Sequence, residues 1–276
     1  MSDRYAVIGH PVAHSQSPRI HAMFADQTGQ ELVYEARLAP LKGFADSVKA
    51  FVAEGGRGVN VTLPFKLQAY EIADVVSERA RHARAANTLK FDSGQIYADN
   101  TDGVGLVRDI KTNLGIELEG KRVLLMGAGG AARGVLLPLL EAHPAILVIA
   151  NRTVEKAMQL AHSNQHQPLA AQTVLSGVGF ADLSGQQFDV VINATSSSLS
   201  DELPPLPDGL FLPGALAYDM MYGKGLTSFL AYAQAHKAAK LADGLGMLVE
   251  QAAESFRIWR GIRPETKPVM LALRKT

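Results

Sequence analysis

The chain has no cysteine among its 276 residues, which excludes disulfides, thiolate metal sites and thiol nucleophiles. Neither sign of charge is in excess. Lysine and arginine number 27 and aspartate and glutamate 27, so the overall balance favours neither nucleic acid nor an anionic membrane surface. Long apolar runs are missing as well. The most apolar region, GVLLPLLEAHPAILVIAN from Gly134, is broken by Glu141, His143 and two prolines, short of the ~20 residues a membrane span needs. The opening MSDRYAVIGHPVAHS holds only a short apolar run interrupted by His10 and Pro11, unlike a secretory leader. There is no G-x-x-x-x-G-K-[ST] loop and no G-x-S-x-G elbow. His10 and His14 stand four apart, yet Pro11 lies between them and H-E-x-x-H is absent; DNTDG (Asp99 to Gly103) lacks an acid at the first calcium-ligand position. No metal is expected. A soluble cytoplasmic protein that handles small molecules is.

What is present is a large apolar fraction, 47%, enough for one large domain or two of ordinary size. In the first part, RYAVIG, a helix from Ser17-Pro18, LVYEARL, a helix after Pro40 and GVNVTL before Pro64 alternate as strand and helix, which implies βαβ units and a mainly parallel sheet. A second series begins at Lys121: RVLLMG, a helix from Ala131, AILVIAN, a helix from Thr153, and DVVINAT. Each strand of it is a continuous apolar run, as in sheets covered on both faces. The expected fold is α/β and two-lobed: a substrate-binding α/β domain over 1–104 and a Rossmann-like doubly wound nucleotide domain over 105–242. An amphipathic helical segment, 243–276, returns to the first domain. A cleft between the lobes is where chemistry is expected.

Gly127-Ala128-Gly129-Gly130-Ala131-Ala132 follows RVLLM and satisfies G-x-G-x-x-A in the strand, turn and helix context that a dinucleotide requires. Gly127 permits the turn, Gly129 lets the backbone approach a pyrophosphate, and Ala132 lets the helix pack on the sheet; the helix amides face the phosphates. The acid that normally holds the adenosine ribose is missing. Asn151, Arg152 and Thr153 stand there instead, with Arg152 25 positions after Gly127 and Lys156 in the first turn of the next helix. A carboxylate would repel the extra phosphate of NADP, whereas an arginine holds it bidentately, so the cofactor expected is NADP.

In GVNVTLPFK (Gly58 to Lys66), Asn60 and Thr62 share one face of a strand while valines and leucine take the other. Pro64 can open a helix and so place Lys66 in its first turn, where the dipole opposes a cation; Lys66 is a candidate proton carrier, with a solvated helix lysine as the alternative. Asp102 lies at the expected domain crossing, where its carboxylate could meet Lys66. Ser15 and Ser17 precede a helix, with Ser17 read as the cap and Pro18 as the first helical residue; their hydroxyls suit a carboxylate ligand as well as a cap. The basic run ERARHARAAN (Glu78 to Asn87) reads as a solvated helix face.

The segments GHPVAHSQSPRIH, GVNVTLPFK, AANTL, ADNTDGVG, GAGGAAR, NRTVEKA, INATS, YDMMY and DGLGMLVEQAAESF together resemble the shikimate dehydrogenase family, in family order along the whole chain. The resemblance implies reversible NADPH-dependent reduction of 3-dehydroshikimate to shikimate, in the route to aromatic amino acids, by a monomer or homodimer. It implies a substrate site of Ser15, Ser17, Thr62, Lys66, Asn87, Asp102, Tyr218 and Gln251, with Lys66 and Asp102 catalytic. Ser15 and Ser17 would hold the carboxylate, and Asn87 and Gln251 the ring hydroxyls. To the cofactor residues read above it adds Glu78, Leu216 and Gly244. The family often carries Arg where Lys156 stands, which keeps the charge and loses the fork. Three other functions have sequence marks of their own. A quinate/shikimate dehydrogenase would more often use NAD, against Arg152; a silent NADP- or shikimate-binding regulator would be expected to have lost Lys66 or Asp102. A methyltransferase would want an acid where Asn151 and Arg152 stand.

Overall fold

The computed structural model describes residues 2–165, 168–195, 203–223 and 225–275; Ser196, the last residue of INATS, lies outside them. The chain forms two compact units, Met1–Gly105 with Leu248–Thr276, and Leu106–Met247. Each has its own sheet.

The first unit runs β1 (Asp3–Gly9), α1 (Ser17–Thr28), β2 (Leu32–Leu38), α2 (Phe44–Ala53), β3 (Gly56–Val61), α3 (Lys66–Glu71), β4 (Val75–Val76), α4 (Glu78–Ala83), β5 (Thr88–Asp92) and β6 (Gln95–Asp99). Its described strands order as β2-β1-β3-β5-β6-β4. β1 pairs in parallel with both β2 and β3, and its run from Tyr5 to Gly9 is wholly buried, as a central strand requires. β2 is an edge and alternates in exposure. The sheet is mainly parallel, as expected, with β5 as the one reversed strand among those described: it runs antiparallel to β3 and to β6. The cause is local. Ser93 and Gly94 both have positive φ, 51° and 79°, forming a two-residue turn that folds β6 straight back on β5 and pairs Asp92 with Gln95.

The second unit contains β7 (Arg122–Met126), α6 (Gly130–Glu141), β8 (Ile146–Ala150), α7 (Val154–Gln165), β9 (Val174–Val178), β10 (Phe188–Asn193), β11 (Phe211–Asp219), α8 (Ser228–Ala235) and β12 (Lys240–Ala242). Its strands are all parallel in the order β12-β11-β10-β7-β8-β9, which is 3-2-1-4-5-6 read from β9, the doubly wound dinucleotide order. Apolar clusters cover both faces: Val123, Leu125, Val135 and Leu139 belong to one, Leu124, Met126, Phe229 and Leu230 to the other. That is why these strands read as unbroken apolar runs.

Two helices span the unit boundaries, α5 (Asp102–Arg108) and α9 (Leu245–Arg260), and α10 (Lys267–Arg274) follows. From Leu248 onward α9 belongs to the first unit, where Val249, Ala252 and Phe256 pack with Ile20 and Phe24 of α1 and Val269 of α10. The apolar spacing of α9 thus serves to place its polar face, with Gln251 and Ser255, against the first unit's strands.

Candidate active site

The ends of β3, β5 and β6 bring the polar residues of the first unit together. β3 stops at Val61 and α3 begins at Lys66, so the lysine is the first helical residue; it does not sit inside a helix opened by Pro64. Asn87 immediately precedes β5, and Asp102 opens α5 with its amide donating to Asn100 Oδ1 at 3.2 Å. The result is a tight cluster. Lys66 Nζ donates to Asp102 Oδ2 at 2.6 Å, and Asn87 Nδ2 donates to Asp102 Oδ1 at 2.8 Å and to Gln251 Oε1 at 3.2 Å. Both carboxylate oxygens are therefore occupied. The side chains of Lys66 and Asp102 keep 29% and 15% of their surface, enough for a small molecule to reach the ammonium. Such a pair can move a proton to or from a hydroxyl while the carboxylate orients the amine.

Ser15, Ser17 and Thr62 lie on neighbouring segments of the same unit. Ser17 is the first residue of α1 and not its cap; Gln16 takes the cap position without a side-chain bond. The displacement by one residue has a visible cause: Ser15 Oγ accepts the Ser17 amide at 3.3 Å and so does the capping. Thr62 follows β3, with its amide donating to Ile8 O, and its side chain is half-buried. The run from Glu78 is not a uniformly solvated face. Arg79 Nε and Nη2 bind Asp99 at 3.0 and 2.7 Å and approach Glu254 at 3.4 Å, while Arg81 and Arg84 stay exposed. Glu78 itself is exposed in the first turn of α4, 3.7 Å from His82.

In the second unit, the glycine turn occupies the carboxyl end of β7, at the point where the strand order reverses. Gly127 has φ 107°, a conformation that side chains resist, and a Cβ there would lie 3.1 Å from Ala194 O. A Cβ on Gly129 or Gly130 would meet no protein atom within 4 Å, and Gly129 caps α6 without any side-chain bond. The first turn of this 12-residue helix thus has no side-chain cap and open space beside Gly129 and Gly130, which suits a pyrophosphate. Ala128 lines the turn, Ala131 is exposed and Ala132 is buried in the core. At the end of β8, Asn151 Nδ2 donates to Thr153 O at 2.9 Å, while Arg152 and Lys156 are both exposed and have no ion pair among the described residues. The site therefore fits a dinucleotide with a further phosphate.

The remaining expected residues lie deeper in this unit. Leu216 is buried in β11 opposite Val190 of β10. A Cβ on Gly244 would collide with Met220 O, so only glycine fits there. Tyr218 is fully buried. Its hydroxyl donates to Asp109 Oδ2 at 2.7 Å and accepts from the Met247 amide at 3.3 Å; burial, then the Asp109 charge, hold the phenol well above its ordinary range.

Family models cover much of the chain: the shikimate dehydrogenase substrate binding domain matches residues 7–89, shikimate/quinate 5-dehydrogenase matches 109–200, and the shikimate 5'-dehydrogenase C-terminal domain matches 244–274. A shikimate dehydrogenase (NADP(+)) of Nitrosospira multiformis is 62% identical over all of this chain and 98% of its own length. The chain belongs to the shikimate dehydrogenase family. Among solved structures, the Ael1 enzyme from Pseudomonas putida is 53% identical with a TM-score of 0.92, covering 99% of this chain and 98% of its own. Shikimate 5-dehydrogenase from Thermus thermophilus, solved in complex with NADP(H) and shikimate, is 35% identical with a TM-score of 0.85 and 99% coverage of both chains. Within this shikimate dehydrogenase family member, Ser15, Ser17, Thr62, Lys66, Glu78 and Asn87 fall in the substrate-domain match, and the glycine turn and Arg152 in the central one. Asp102, Leu216 and Tyr218 fall outside all three matches.

Proposed function

We propose that the protein is an NADP-dependent shikimate dehydrogenase that interconverts 3-dehydroshikimate and shikimate. The observation that carries this reading is the contact of Lys66 with Asp102, at 2.6 Å and flanked by Asn87 and Gln251, in a chain of this family. Ser15 and Ser17 hold the substrate carboxylate, and Thr62, Asn87, Tyr218 and Gln251 complete the substrate site. Gly127 to Ala131 cradle the pyrophosphate. Asn151, Arg152, Thr153 and Lys156 receive the adenosine ribose and its phosphate, with Glu78, Leu216 and Gly244 as further cofactor residues.

The nicotinamide, when bound, supplies or accepts the hydride. The chain's own contribution is the proton. In reduction Lys66 Nζ–H gives its proton to the ketone oxygen as negative charge develops there, and Asp102 Oδ2 keeps the amine aimed; in oxidation the same nitrogen takes the hydroxyl proton. Arg152 sets cofactor choice, because a planar fork holds the extra phosphate and offers nothing specific to a bare ribose. We further read the protein as cytoplasmic and as a monomer or homodimer; no described helix is long and apolar enough to cross a membrane.

Initial rates with shikimate or quinate, each with NADP or NAD, followed by absorbance of the reduced cofactor, test the reading. Shikimate with NADP is expected to be fastest. Quinate with NAD fastest would make it a quinate enzyme, and binding of shikimate and NADP without turnover would make it a regulator.

A further inference from the structure

Behind Asn87 lies a buried chain of polar side chains that the reading above leaves unused. Tyr34 OH donates to Asn60 Oδ1 at 2.8 Å, and Asn60 Nδ2 donates to Ser255 Oγ at 2.9 Å. Ser255 Oγ lies 2.7 Å from Thr88 Oγ1, which donates to Asn87 Oδ1 at 3.0 Å. When the Thr88 hydroxyl gives its one proton to Asn87, the 2.7 Å contact takes its proton from Ser255, whose hydroxyl also has Gln251 O within reach at 3.0 Å. Asn87 then donates onward to Asp102 Oδ1 at 2.8 Å. In that arrangement every link points the same way. Thr88 and Ser255 are fully buried, and Asn60 and Asn87 nearly so.

Resting on the function proposed above, we propose that Tyr34, Asn60, Ser255 and Thr88 form a one-way donor relay whose task is to hold the Asn87 amide with its NH2 towards Asp102. They are positioning residues. An amide is nearly symmetric in shape, so only its partners decide which end faces the carboxylate. Rotated by half a turn, Asn87 would set its carbonyl oxygen against Asp102 Oδ1 and push the carboxylate away from Lys66. Three donors into Asn87 Oδ1 prevent this, the Thr101 amide at 2.9 Å, the Thr101 hydroxyl at 3.1 Å and the Thr88 hydroxyl at 3.0 Å. Mutation of a side chain can remove either hydroxyl, and the Thr88 one is the donor that continues the chain from Ser255. Aligned donors in a dry environment also polarise one another, which strengthens the terminal bond.

Thr88→Val keeps the shape and deletes the donor, while Thr88→Ser keeps the donor and deletes a methyl. The relay predicts that Thr88→Val lowers kcat about tenfold, the worth of roughly one hydrogen bond, with KM for NADPH within about twofold of wild type. Thr88→Ser is expected to restore kcat to within about threefold. A kcat for Thr88→Val equal to wild type, or a serine variant as impaired as the valine one, overturns the relay. Hydrogen exchange of the Asn87 side-chain amide, followed by NMR on the full chain, decides it without turnover. Its NH2 protons are expected to exchange about tenfold faster in Thr88→Val, and unchanged exchange overturns the relay. If the wild-type chain does not oxidise shikimate, the function proposed above falls while the exchange measurement still judges the relay.

Discussion

Replacing Asp102 by asparagine tests the site at its centre. The carboxylate has two oxygens and both accept, Oδ2 from the Lys66 ammonium at 2.6 Å and Oδ1 from the Asn87 amide at 2.8 Å. Asparagine offers one oxygen and one NH2 group, so either rotamer sets a donor against a donor. The variant therefore loses at least one charge-assisted hydrogen bond, about 1.5–3 kcal/mol, at a side chain with 15% of its surface exposed, so that little solvent can compensate. If that loss is felt where the proton moves, kcat/KM for shikimate falls about 10- to 150-fold. The assay is NADPH absorbance in both directions, with NADPH binding measured separately by its fluorescence. Cofactor affinity is expected to be unchanged, because every proposed nucleotide residue except Glu78 lies in the other unit. An Asp102→Asn enzyme within about threefold of wild type would refute the assignment of Asp102 as the group that aims the amine.

Lys66→Ala should lower kcat by at least about 100-fold, the lower bound usual for loss of an acid/base group, and leave the NADPH dissociation constant intact; near-normal turnover would remove lysine from the chemistry. Arg152→Ala should raise the dissociation constant of NADPH about tenfold or more and leave that of NADH unchanged, because the extra phosphate alone loses its partner. Equal loss for both cofactors would contradict this. His21→Phe should flatten the acid limb of stability. Burial, only partly opposed by the neighbouring Asn60 side chain, pushes the His21 imidazole down to about 3, and neither ring nitrogen has a partner in hydrogen-bond geometry among the described residues. The unfolded chain therefore binds a proton below about pH 6.5 that the folded chain refuses until about pH 3. Stability is full above that window and falls about 1.4 kcal/mol per pH unit as pH drops through it. Urea unfolding at pH 7 and pH 5 should show wild type losing about 2 kcal/mol more than His21→Phe, and equal losses would contradict the burial argument.

The nucleotide unit was the more legible half, because its strands are covered on both faces and each reads as an apolar run ending in a diagnostic turn. RVLLM followed by Gly127 and AILVIA followed by Asn151 correspond to β7 and β8 with their turns in place. The first unit was harder. Its hairpin between β5 and β6 turns on Ser93 and Gly94, a signal present in DSG but overshadowed by the expectation of parallel strands. Ser17 was displaced from the cap because the hydroxyl two residues earlier does that work. Arg79 looks like any solvated helix arginine until folding sets Asp99 and Glu254 beside it.

The parts of the candidate site carried by motifs are legible in the sequence: Lys66 and Asn87 both bind the Asp102 carboxylate, and Gln251 binds Asn87. Their supports are not. Thr88 and Ser255 touch across 167 positions of sequence, and no local pattern announces such a contact. A weaker signal existed for Ser255, which stands four residues after Gln251 and hence on the same face of α9. Tyr218 shows the reverse limit, since YDMMY marks the segment but not that its first hydroxyl is engaged by Asp109.

The central claim is that Lys66 and Asp102 handle the proton of a ring hydroxyl. A crystal structure of the protein with NADP and shikimate measures it directly. The oxygen that is oxidised should lie within about 3 Å of Lys66 Nζ, with Asp102 still bound to that amine. A ring oxygen well beyond hydrogen-bond reach of both groups, in a complex that turns over in the crystal, would contradict it.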